Sequence, residues 1–75
     1  MDVKKTGKYI SDNRKKQGFS QKELAEKLNV TDKAISKWER GLSFPDISLL
    51  IPLSEVLGVG LYDLLTGGIG NEQSE

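Results

Sequence analysis

The stretch TDKAISKWERG, residues 31–41, places Asp32, Lys33, Ser36, Lys37 and Arg40 on one side of a helix and Ile35 and Trp38 on another. Three cations, a hydroxyl and a single carboxylate in one row suit hydrogen bonding and charge pairing with a polyanion. The competing reading is a solvated helix face. Covalent chemistry has little to work with. The chain has no histidine and no cysteine, so a general base would have to be Asp, Glu or Lys. No such group is spaced with a nucleophile in a recognisable arrangement, and no phosphate loop or metal-ligand cluster is present. The expectation is a protein without enzymatic activity, cofactor or metal.

Charge supports the polyanion reading. All eleven basic residues lie in residues 1–40 against six acids, a net charge of +5, while residues 41–75 carry five acids and no base, −5. A total of zero therefore conceals a basic half able to face an anionic partner, although two ends that differ by chance would give the same count.

Seventy-five residues make one small domain, near the lower limit for a core that folds without staples. The early lysines have no apolar run behind them, which argues against a signal peptide and for a cytoplasmic location. Residues 47–65 are the most apolar stretch. Pro52, Glu55, Asp63 and two glycines interrupt it, and an acid near a bilayer centre costs roughly 2.5–3.5 kcal/mol, so two core-facing helices are expected and no membrane span.

Five residues suited to left-handed helix ends, Gly18, Asn29, Gly41, Gly58 and Gly67, each follow a segment with helical periodicity. They predict five helices. The first runs from about Lys4 to Gln17, with Ile10 and the stem of Arg14 inward. Ser20 and Glu23 are spaced for a capping box at the second, which buries Leu24, Ala25 and Leu28. Thr31 caps the third. The fourth starts near Asp46 and supplies Leu49, Leu50, Leu53, Val56 and Leu57, with Pro52 expected to kink it or move its start toward Ser48. The fifth spans Leu61 to Leu65 from a Gly60 cap. Nothing alternates with period two, so the class is all-α. The register of Trp38 with Ile35 favours core packing over a stacking platform. Phe19 and Phe44 read as plugs beside helix ends, with Leu42, Phe44 and Tyr62 as candidates for an interface. Residues 67–75 are expected to form a disordered tail or linker beyond a domain at 1–66.

Between the second and third helices stand only Asn29 and Val30, so the two must cross steeply, with Ala25 small at the approach. The segment RKKQGFSQKELAEKLNVTDKAISKWERG, followed by PDISLL, LSEVLGV and LYDLL, resembles the Cro/lambda-repressor type of helix-turn-helix domain, the XRE family, over about residues 5–66. SQKELAEKLNV, ISKWERG and LGV carry the resemblance. It implies a compact five-helix fold with a motif at 21–40 and a recognition helix at 31–40. It also implies sequence-specific binding of double-stranded DNA by a transcriptional regulator, typically a repressor, as a dimer on a two-fold operator.

By the same resemblance Asp32, Lys33, Ser36 and Lys37 face base edges. Gln21 meets a phosphate, joined by Ser20, Lys22, Thr31, Arg40 and Ser43, and Arg14 pairs with Glu39 to tie the reading helix to the scaffold. The departures are Asn29 where glycine is usual, Gly60 where a Ser or Thr cap is common, Pro52 within a helix, and Asp32 where relatives carry a neutral amide. Lys33 and Lys37 suit guanine O6 and N7, or they sense phosphates only. Asp32 can accept from cytosine N4 or favour the positive end of its helix. Arg40 is a phosphate clamp or a complement to the helix C-terminus. An antitoxin, or a protein-interaction module whose main partner is another protein, is the alternative reading of the same fold.

Overall fold

The computed structural model describes residues 2–68. It contains α1 (Val3–Lys16), α2 (Gln21–Leu28), α3 (Asp32–Glu39), α4 (Ile47–Leu57) and α5 (Leu61–Thr66), with no strand among the described residues. All five expected helix stops are left-handed. Their φ angles are 81° at Gly18, 58° at Asn29, 74° at Gly41 and 70° at both Gly58 and Gly67, and each releases the chain into the next turn.

Local chemistry explains where the helices begin. Ser20 Oγ accepts the Glu23 amide at 3.0 Å while Glu23 Oε1 accepts the Ser20 amide at 2.8 Å, a complete capping box. The first helix starts one residue earlier than expected, because Asp2 Oδ1 accepts the amides of Lys4 and Lys5 at 2.9 and 3.1 Å. The fourth starts at Ile47 and continues through Pro52 to Leu57, so its start has not moved to Ser48. Pro52 has no amide to give the Ser48 carbonyl, and Ser48 and Pro52 both lie on an exposed side of the helix where water can take its place.

Ile10, Leu24, Ala25, Leu28, Ile35, Trp38, Leu53, Leu57 and Leu64 form one buried cluster, with Leu49, Leu50 and Val56 packed half-buried against it. α1 is the central strut, touching α3, α4 and α5. Buried Thr6 donates its hydroxyl to the Leu64 carbonyl at 3.0 Å, and so satisfies an end of α5 that the helix itself leaves open. Gln17 does the same for α4, its Nε2 donating to the Leu57 carbonyl at 3.0 Å.

Gly67 caps α5, and the amide of Gly68 donates to the Asp63 carbonyl at 2.8 Å. These two residues complete the last helix. The expected tail otherwise falls on residues 69–75, outside the described residues. No helix among those described is long and apolar enough to cross a membrane.

Candidate nucleic-acid interface

The polar row of α3 is set by its buried side. Ile35 and Trp38 are 0% and 5% exposed, which fixes the rotation of the helix about its axis and leaves Asp32, Lys33, Lys37 and Arg40 in solvent, with Ser36 half-buried between them. At the N-terminus Thr31 Oγ1 accepts the Ala34 amide at 3.2 Å. At the other end Gly41 and Leu42 return their amides to the carbonyls of Trp38 and Lys37 at 3.0 and 2.9 Å. The result is a short rigid rod capped at both ends. Among the described residues Asp32, Lys33 and Lys37 have no ion-pair partner, so their charges are directed outward.

Arg14, Glu39 and Gln21 meet behind that rod. Arg14 Nε and Nη2 donate to Glu39 Oε2 and Oε1 at 2.6 and 3.1 Å, and Gln21 Nε2 donates to the same Oε1 at 2.9 Å. Arg14 Nη1 also donates to the Phe19 carbonyl at 2.6 Å. One carboxylate therefore joins α1, the start of α2 and the end of α3, and one guanidinium adds the loop between α1 and α2. The Arg14 and Glu39 side chains are 10% and 7% exposed, so neither charge is well served by solvent and each depends on the other.

This geometry gives Gln21 two tasks. One of its amide hydrogens is committed to Glu39, leaving the second as a donor at the mouth of α2. Ser20 and Thr31 resemble each other. Each oxygen accepts a cap amide; the Thr31 hydroxyl keeps its proton to donate, whereas the Ser20 hydroxyl also serves the Glu23 carboxylate. Lys22 is exposed in the first turn of α2 and Ser43 is half-buried in the loop after α3. Arg40 is exposed and lies back along its own helix, Nε donating to the Ser36 carbonyl at 3.4 Å. The candidate base-facing and phosphate-facing groups thus occupy the outer side of α3, the starts of α2 and α3, and the loop beyond.

Phe19 is half-buried with Lys27 Nζ 4.8 Å above its ring, which anchors the α1–α2 loop. The sequence reading missed the support beneath α3. A Cβ at Gly7 of α1 would run into the Trp38 carbonyl oxygen and stand 3.1 Å from that of Glu39, so α1 crosses the end of α3 backbone to backbone. A lone glycine inside a helical pattern was the available signal.

The capping box is also a pH-sensitive element. The Ser20 backbone amide, followed by the Ser20 hydroxyl, holds the Glu23 carboxyl below its ordinary value of 4.5. A depressed folded pKa contributes stability above the ordinary value and loses it as pH falls through the folded one. Denaturant midpoints should therefore decline from about pH 4.5 downward, and Glu23→Gln should flatten part of that decline when the two proteins are titrated in parallel. Asp2 and Asp46 carry the same sign, through the Lys5 amide and the Ser48 hydroxyl respectively.

Five helices, an α2–turn–α3 unit joined through left-handed Asn29 and an outward polar row define a helix-turn-helix domain of the lambda-repressor-like type. A helix-turn-helix family model matches residues 10–64, and the chain belongs to that family. It is 41% identical over 59 residues to the HTH-type transcriptional regulator ImmR of Bacillus subtilis (strain 168), covering 79% of this chain and 46% of that protein. Its fold superposes on the P22 c2 repressor in complex with a synthetic operator with a TM-score of 0.79 and 35% identity, over 83% of this chain and 94% of that one. It also superposes on SinR, a master regulator for biofilm formation, in complex with DNA, with a TM-score of 0.73 and 41% identity over 80% of this chain and 97% of that one. The chain spans 24% to 59% of the length of the curated relatives it matches.

Proposed function

We propose that the chain is the sequence-specific DNA-binding domain of a transcriptional regulator, acting as a repressor in the cytoplasm. α3 enters the major groove of double-stranded DNA. Asp32, Lys33, Ser36 and Lys37 read base edges, and Ser20, Gln21, Lys22, Thr31, Arg40 and Ser43 hold phosphates on either side. The observation that carries this reading is the outer face of α3, where Asp32, Lys33 and Lys37 are exposed and, among the described residues, without ion-pair partners, while its inner face is locked by Ile35 and Trp38. The similar structures solved with DNA, one of them a synthetic operator, support the choice of partner.

Two copies bind a two-fold operator with half-sites about 34 Å apart. The described domain measures 35 × 23 × 19 Å, so two can stand side by side at that spacing. If each neutralises three or four phosphates, log affinity should fall against log salt with a slope near −3 per domain. Enrichment of bound duplexes from a random pool, with the mass of the complex measured, tests both parts. A palindromic consensus and two chains per duplex are expected. A pool that yields no preferred sequence even at low salt would overturn the reading in favour of a protein partner.

A further inference from the structure

We infer that Lys4, on the first turn of α1 and outside the helix-turn-helix motif, is a further DNA-backbone contact that extends the interface past the end of the recognition helix. The inference rests on the DNA-binding reading above. Lys4 and Lys5 are neighbours in sequence, yet the fold sends them to different places. A Cβ at Gly41 would lie 2.8 Å from Lys4 Cγ and 3.0 Å from Lys4 Cα, so the stem of Lys4 runs across the residue immediately after Arg40. A Cβ at Gly67 would instead lie 2.6 Å from Lys5 Cβ and 2.7 Å from its carbonyl carbon, which places Lys5 against the end of α5.

Successive residues on a helix are separated by about 100°, and α1 crosses the end of α3 where Gly7 meets the Trp38 and Glu39 carbonyls. Of the two neighbouring lysines, Lys4 is therefore the one delivered to the α3 side. It is exposed, and among the described residues no acid is within ion-pair distance of it. Lys8, one turn further along, is held by Asp12 at 3.0 Å. Together Lys37, Arg40 and Lys4 make a cationic run that begins on the reading helix and ends on the scaffold. An ammonium on a flexible stem at that end suits a phosphate oxygen rather than a base edge.

The test compares Lys4→Gln, Lys5→Gln and Lys4→Arg with the parent on a duplex selected by the parent and on single-base variants of it, across a salt series, with the melting point of every protein recorded. Lys4→Gln should lower affinity about five-fold at roughly 0.15 M salt and make the slope shallower by about 0.9, equally for every duplex. Lys4→Arg and Lys5→Gln should match the parent. Unchanged binding by Lys4→Gln would overturn the inference and leave Lys4 as a complement to the negative end of α3. An equal loss from Lys5→Gln would overturn it too, showing a diffuse effect of net charge. A parent that selects no duplex would remove the DNA-binding reading itself.

Discussion

Gly7→Ala should cost about 3 kcal/mol or more of folding stability, the upper range for overpacking, because the added methyl meets backbone oxygens that cannot rotate away. In a domain this small that is a large share of a total of roughly 4–11 kcal/mol. It corresponds to a fall in melting temperature on the order of 15 °C. The variant would have to lift α1 from the end of α3, so the surviving folded fraction should also present the reading helix at an altered angle. Gly18→Ala is the contrast. Its new Cβ would meet nothing within 4 Å, and only the left-handed φ of 81° opposes it, a cost of roughly 1–2 kcal/mol. Thermal melts of the two variants side by side separate a steric wedge from backbone strain.

The second large effect is expected at the ion pair. Glu39→Leu should destabilise by about 3–5 kcal/mol, since it leaves the Arg14 guanidinium buried with no counter-charge and also removes the acceptor of Gln21. Arg14→Met should fall in the same range, with the Phe19 carbonyl losing its donor as well. Combined, the two changes should cost far less than the sum of the single ones, because neither charge is then stranded. Urea titration of the four proteins measures that coupling. A sum that is simply additive would mean that the pair is spectator chemistry, and that the orientation of α3 rests on Ile35, Trp38 and Gly7 alone.

What was legible in the sequence was local. Gly18, Asn29, Gly41, Gly58 and Gly67 announce helix ends because few other residues adopt a left-handed backbone. Ser20 with Glu23 announces a helix start because the reciprocal hydrogen bonds span only three residues. The inward stripe of Ile35 and Trp38 follows from helical periodicity, and it fixes which residues of α3 face out.

What stayed hidden depends on residues far apart in the chain. Thr6 meets the Leu64 carbonyl across 58 positions, and a buried threonine near a chain end has no signature of its own. Gly7 reads as a poor helix former until the carbonyls of α3 are seen against it. Gln21 reads as a phosphate donor, yet half of its amide belongs to Glu39, which couples the start of α2 to the end of α3. Pro52 reads as a break, but it and Ser48 lie on an exposed side of α4 where water can replace the missing amide, so the helix tolerates it.

If the outer face of α3 reads bases while the start of α2 holds phosphates, one binding matrix separates the two roles. Parent, Lys37→Gln and Lys22→Gln are measured against the selected duplex and all its single-base variants at fixed salt. Both substitutions remove one charge from an exposed helical lysine, so a purely electrostatic interface would treat them alike. Lys22→Gln should weaken every duplex by the same factor. Lys37→Gln should lose its discrimination at particular base pairs, each amounting to roughly 1–3 kcal/mol in the parent, and keep it elsewhere. Uniform, sequence-independent losses from both would contradict the assignment of α3 as the reading helix.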